Sequence, residues 1–253
     1  MAVKEANEFK EMELWEHLQE LRGRLIRSVV YVFVGLAVAW ALYGLVYQLF
    51  MAPLKPIMDS HGWKIFYSTI TQGFMLQLQV SLVAGLVIAI PLVTLEAWGF
   101  IAPGLTRNER KACYLVVPTS IFFFLMGCVC GYLLMPVTLS YFAQFIPKDG
   151  ILMQNPIDYL LFTVKMVVGF GVCFQLPIIL MLLAWLGLVT SAALVEQWRM
   201  AVVGCFVVAA IATPGGDPLT MCILASPLAI LYVASIFLVR IVEKARAKSD
   251  WAV

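Results

Sequence analysis

Charge is scarce in this sequence. Only 13% of the 253 residues are Asp, Glu, Lys or Arg and 62% are apolar, whereas soluble domains carry about 25% charged residues. An ordinary soluble domain is thereby excluded. The net charge of +2 offers no electrostatic footprint for nucleic acid. Histidine is scarcer still: His17 and His61 are the two present, and both lie outside the apolar runs. A haem held between membrane helices needs ligands at depth, so a membrane cytochrome is excluded. There is no His-Glu-x-x-His zinc motif and no Walker loop, which removes zinc proteolysis and nucleotide hydrolysis. Cysteine is present as Cys113, Cys128, Cys130, Cys173, Cys205 and Cys222, all within or at the edge of apolar runs. Their spacing suits no metal, because on a helix Cys128 and Cys130 point about 200° apart. They read as small packing residues. The expectation is a chain that is not an enzyme and holds no cofactor or metal.

What is present is a series of apolar runs. Six are candidate membrane spans: about 28–50, 74–100, 113–145, 157–188, 200–212 and 219–239. The fifth is short. The turn Thr213-Pro-Gly-Gly-Asp217-Pro218 joins it to the sixth, so the two read as a short hairpin that locally thins the bilayer. Pro91, Pro118, Pro136, Pro177 and Pro227 fall inside spans and are expected to kink them. The predicted fold is therefore all-α: a polytopic membrane protein, residues 1–253 as one membrane domain, with six transmembrane helices in a kinked, curved bundle. No internal repeat is visible, which argues against an inverted-repeat transporter.

Lysine and arginine set the orientation. Lys4, Lys10, Arg22, Arg24 and Arg27 precede the first run, Arg107, Arg110 and Lys111 follow the second, Arg199 opens the fifth, and Arg240, Lys244, Arg246 and Lys248 lie in the 240–253 tail. The other side holds Lys55, Lys64 and Lys148, and Lys165 is within a span. Both termini are expected to face the cytoplasm. The N-terminus opens on charged residues, so no secretory signal peptide is expected there. Residues 1–25 read as an amphipathic helix continuing into the first span, with Leu14, Leu18, Leu21 and Leu25 on one face and Glu13, Glu16 and Glu20 offered to water.

The block His17-Leu-Gln-Glu-Leu-Arg-Gly-Arg-Leu25, followed by Trp98-Gly-Phe-Ile-Ala-Pro-Gly-Leu-Thr-Arg-Asn-Glu-Arg-Lys111, closely resembles the TatC family, the multi-spanning subunit of the twin-arginine protein translocase. The resemblance covers nearly the whole chain. It implies a glove-like, concave bundle capped by its far-side loops, in the inner (plasma) membrane of a prokaryote. It further implies binding of the twin-arginine signal peptides of folded precursors at the cytoplasmic face, with TatA-like and TatB-like single-span proteins as partners, self-association, and the proton-motive force as energy source. Membrane lipid is the remaining partner; nucleic acid is not one.

The residues that carry recognition in that family are matched here by Glu20, Arg22, Phe100, Pro103 and Glu109. The chemistry is apt, because a guanidinium is a planar fork that meets a carboxylate at two points. Two readings stand for each acid. Glu20 either reads a guest arginine or pairs with Arg24, four residues on. Glu109 either does the same or pairs with Arg107, Arg110 or Lys111. Glu96 departs from the family's common glutamine and is either a third acid near the site or a side chain snorkelling to the interface.

At depth, Lys165 and Gln175 are the candidates for partner docking or, alternatively, for a small-solute or ion transport site. Lys165 either snorkels outward or pairs with Asp158. Gln175, Gln72, Met221 and Val233 stand where the family often has other polar or acidic residues, and Ile70 where it has proline. Pro53 and Asp217 are singled out in the far-side loops. Gly215-Gly-Asp217 faintly resembles an intramembrane aspartyl-protease motif, but no partner aspartate lies in another span.

Overall fold

A computed structural model describes residues 2–101, 107–147, 152–185, 187–213 and 218–250, and the side chains among them of residues 15, 17–100, 116–147, 152–185, 187–213 and 218–244. In chain order these form α1 (Ala2–Ala41), α2 (Tyr43–Met51), α3 (Lys55–His61), β1 (Lys64–Ile65), α4 (Thr71–Ile101), α5 (Arg107–Ala143), β2 (Met153–Gln154), α6 (Pro156–Cys173), α7 (Leu176–Trp185), α8 (Ser191–Glu196), α9 (Trp198–Ala212) and α10 (Pro218–Asp250). Among the described residues, five segments are long and apolar enough to cross a membrane: His17–Ala41, Thr71–Phe100, Val116–Ala143, Pro156–Trp185 and Pro218–Lys244. Helix α9, at 15 residues, is about 22 Å long, short of the roughly 30 Å hydrocarbon core. The chain is helical and multi-spanning, as its apolar runs require. Pairing the backbone inside the helix is the one way to satisfy it in lipid without closing a barrel.

The chain's contacts fall into two compact units, Met1–Tyr43 with Ser81–Ile121, and Gly44–Val80 with Phe122–Val253. In the first, α1 crosses α4 at a pair of buried glycines. A Cβ on Gly85 would lie 2.7 Å from Leu36 Cα and 2.8 Å from the Gly35 carbonyl carbon. Small residues at such a crossing let two backbones meet in a medium where apolar side chains gain nothing by leaving lipid.

In the second unit α5 meets α6 in the same way, where a Cβ on Gly127 would lie 2.7 Å from the Phe170 carbonyl oxygen. Helix α10 packs on α7 and α9, and the Tyr232 hydroxyl donates to Leu194 O at 2.8 Å, tying it to α8.

Pro53 has an identifiable local role. It lacks the N–H that would bond Leu49 O, so α2 stops at Met51. The orphaned carbonyls are taken by tyrosines: Tyr132 Oη donates to Leu49 O at 2.9 Å, and Tyr159 Oη donates to Phe50 O at 2.9 Å. After α3, Gly62 adopts φ +68°, the left-handed cap that glycine takes without strain.

Two features differ from the sequence reading. First, β1 and β2 pair in parallel, Lys64 with Met153 and Ile65 with Gln154. Two-residue strands are too short to leave an alternation in the sequence. Second, Pro177 does not kink a continuous fourth helix. The chain breaks between Cys173 and Leu176, and Pro177 sits in the first turn of α7, where a missing N–H costs nothing.

The loops that carry β1 and β2 are closed by Gln72, which is 6% exposed. Its Oε1 accepts from Ser68 N at 2.6 Å, and its Nε2 donates to Asn155 Oδ1 at 2.7 Å. Asn155 Oδ1 also accepts from Ile157 N at 3.0 Å as the cap of α6, so it cannot turn to become a donor without losing that cap. Gln72→Glu would place two acceptors face to face in a buried site, at a cost of about 1–3 kcal/mol or more. The variant is expected to melt earlier in detergent than wild type, and an unchanged melting temperature would refute this role for the amide.

Candidate functional site

Five residues of α1 recur at spacings of three and four: His17, Glu20, Arg24, Arg27 and Tyr31. That spacing puts them on one helix face. They meet the last turns of α4, and the charges interlock. Arg24 donates from Nη2 and Nε to Glu20 Oε1 at 2.7 and 3.1 Å. Its Nη1 reaches Glu96 Oε2 at 3.3 Å and Glu96 O at 3.4 Å. Arg27 forms the two-point fork with Glu96, Nε to Oε1 at 2.8 Å and Nη2 to Oε2 at 2.9 Å. Tyr31 Oη donates to Glu96 Oε1 at 3.3 Å. Two carboxylates and two guanidiniums thus balance.

Gly99 lies against the end of the Arg24 side chain. A Cβ there would collide with the Arg24 guanidinium, so glycine at this position keeps open the space in which Arg24 lies. One turn nearer the N-terminus, the His17 ring stacks on Phe100, with centroids 4.3 Å apart and planes at 20°.

Several expectations need correcting or placing. Glu20 is not offered free to water: its side chain is one-third exposed at 34% and is held by Arg24. Glu96 does not snorkel. At 14% exposure it is the centre of the network, because Arg24, Arg27 and Tyr31 supply the donors a carboxylate needs at that depth. The leucine face points outward, with Leu18, Leu21 and Leu25 at 57%, 43% and 62% exposure, while Glu20 and Arg24 turn inward and His17 and Arg27 stay exposed. This inversion of the soluble rule is what an apolar solvent favours.

Arg22 is exposed and, among the described residues, makes no ion pair. Phe100 is joined to the cluster through His17. Glu109 lies in the first turns of α5, but its side chain is outside the described residues, as are Pro103 and Asp217 altogether.

The pairing of Arg24 and Arg27 with Glu96 was not anticipated from sequence. The signal was available: the 17-20-24-27-31 stripe on α1 needs an acidic partner, and Glu96 is the one acid in the second apolar run.

Lys165 and Gln175 are not brought together. Lys165 lines two cavities of the second unit and Gln175 lines neither. Gln175 sits at the α6–α7 break, half-buried, and its carbonyl accepts from Ile178 N and Ile179 N at 3.0 Å. Among the described residues Lys165 forms no ion pair with Asp158. A shared transport site on these two side chains is therefore not favoured.

Comparison with known proteins gives the family. The family model described as Sec-independent protein translocase protein (TatC) matches residues 16–227. The Sec-independent protein translocase protein TatC of Magnetococcus marinus is 36% identical over 241 residues, covering 94% of this chain and 88% of that protein. That of Desulforapulum autotrophicum is 36% identical over 236 residues, covering 93% and 87%. A crystal structure of the twin arginine translocase receptor TatC superposes with a TM-score of 0.74 at 30% identity, covering 89% of this chain and 99% of that one. The likeness thus runs from the first block of α1 into α10, and includes both sequence blocks, 17–25 and 98–111. The chain belongs to the TatC family of Sec-independent protein translocase proteins.

Proposed function

We propose that this chain is the receptor subunit of a twin-arginine translocase. It binds twin-arginine signal peptides at the cytoplasmic face and organises the export of folded proteins. The observation that carries the reading is the seating of a guanidinium on Glu20: the chain's own Arg24 sits there, with Nε and Nη2 both donating to Oε1. A carboxylate that already holds one guanidinium through two N–H groups is placed to hold another. Signal-peptide binding then proceeds by exchange. An incoming arginine takes Glu20, Arg24 moves fully onto Glu96, which it already touches, and Glu109 takes the second arginine. His17 and Phe100 form the apolar floor beside the pair, Pro103 belongs to the same recognition surface, and Arg22 stays free to meet acidic groups of the precursor.

In this reading the protein is a multi-pass protein of a prokaryotic inner membrane with both termini cytoplasmic. Helix α9 makes a short sixth span, and the bundle is concave. TatA-like and TatB-like single-span proteins and further copies of the chain assemble around it. Gln175 serves as a neutral hydrogen-bonding position for a partner helix, and the far-side loops around Pro53 and Asp217 cap the bundle.

Photo-crosslinking tests recognition and orientation together. A photoreactive residue at Leu21 or Asn108 spares the carboxylates at 20 and 109. It is expected to capture a twin-arginine peptide added to inverted membrane vesicles. Capture in right-side-out vesicles alone would reverse the orientation, and no capture in either would remove the receptor role from this face.

A further inference from the structure

Two cavities of the second unit share one side chain. The first, of about 390 Å³, is lined by Asp158, Lys165, Gln154 and Tyr159 together with apolar residues of α5 and α6. The second, of about 340 Å³, is apolar apart from Lys165 and lies between α6 and α9, with Val168, Gly169 and Val172 on one wall and Val208 and Ile211 on the other. Lys165 and Asp158 are both exposed. Among the described residues neither is in an ion pair, although they are two helical turns apart on α6.

A cation at this depth in a span needs a counter-charge, and the geometry says where one comes from. Ala212, the last residue of α9, lines both cavities with Lys165, so the end of the short helix is level with the lysine. With α9 as the short sixth span of the proposed function, the bilayer beside it thins to meet a helix about 8 Å shorter than the hydrocarbon core. That brings the headgroup layer down to Lys165.

We infer that α5, α6 and α9 form a binding site for one glycerophospholipid whose headgroup carries a primary ammonium. The phosphate sits on the Lys165 ammonium, the headgroup ammonium on the Asp158 carboxylate, and an acyl chain in the apolar cavity. Charge complementarity selects this occupant. A cation and an acid standing unpaired about 10 Å apart along one helix face match a headgroup with both signs. An anionic headgroup would leave Asp158 facing like charge, and a choline headgroup has no N–H to donate to it. Gly169 marks the path of the chain: a Cβ placed there meets nothing within 4 Å.

Native mass spectrometry of the full chain tests the assignment. The purified protein is exchanged into mixed micelles holding equal amounts of dioleoyl phosphatidylethanolamine, phosphatidylcholine and phosphatidylglycerol. Wild type is expected to retain one phospholipid, with the ethanolamine form favoured by about fivefold, the worth of one net hydrogen bond. Lys165→Gln is expected to lose retention of all three. Asp158→Asn is expected to keep retention and lose the preference. Gly169→Leu, which fills the chain's path and leaves both charges in place, is expected to lose retention with an unchanged melting temperature. Equal retention of the three headgroups by wild type, a preference for the glycerol form, or unaltered retention in Lys165→Gln would each overturn the site.

Discussion

Glu20→Ala is expected to weaken binding of a twin-arginine peptide on the order of 10- to 100-fold, the worth of one charge-assisted hydrogen-bonded contact. Arg24→Gln is expected to act in the opposite direction. Arg24 occupies Glu20 in the free protein, so a guest arginine meets only the fraction of molecules in which that carboxylate is vacant. Apparent affinity falls by that fraction. Removing the resident guanidinium restores it. Glu20 is one-third exposed, so the pair is worth little more than a surface ion pair, and the gain is about two- to fivefold. Glu96→Gln completes the set. With its second acid neutral, Arg24 has Glu20 as its single charged partner, and peptide binding is expected to weaken. Isothermal titration of the three variants reads these signs directly. A loss of affinity in Arg24→Gln with retained thermal stability would show that Arg24 itself contacts the peptide and does not compete with it.

The second large effect concerns the frame that holds the cluster. Gly85→Leu is expected to prevent stable folding of the first unit. The atoms a side chain would strike, Leu36 Cα and the Gly35 carbonyl carbon at 2.7 and 2.8 Å from a Cβ, are backbone and cannot rotate away. The helices must separate, and separating α1 from α4 pulls Arg24 and Arg27 off Glu96. Overpacking of this kind costs about 1–3 kcal/mol even where side chains can adjust, and more here. Accumulation of the variant in membranes and its resistance to protease in detergent are the measurements. Wild-type levels of both would contradict the close crossing. Gly23→Leu is the matched control, since a Cβ there meets nothing within 4 Å.

The spans were legible because lipid forces a simple code: long apolar runs become helices, whatever they later pack against. The blocks around Glu20 and Glu109 were legible as those of the family because their residue types and order are specific. What the sequence concealed is where charges go once helices meet. Arg24 pairs with Glu20 locally and also reaches a second acid brought by α4, Glu96, at 3.3 Å. Distances across 72 residues of chain leave no local trace. Gln72 shows the same limit. As a departure from an expected acid it looked like a loss, yet its amide is the donor that Asn155 requires. The β1–β2 ladder was hidden by its brevity, and the break before Pro177 by an apolar run that continues through it.

The central claim is that carboxylates on this face read guanidinium groups by shape as well as by charge. Titration of the purified wild-type protein with two peptides, identical except that one carries an Arg-Arg pair and the other Lys-Lys, tests it most directly. An ammonium is a point charge and cannot make the two-point contact that Arg27 makes with Glu96 on this same face. The arginine peptide is expected to bind at least about tenfold more tightly, the equivalent of one lost charge-assisted contact. Equal affinity for the two peptides would contradict the account.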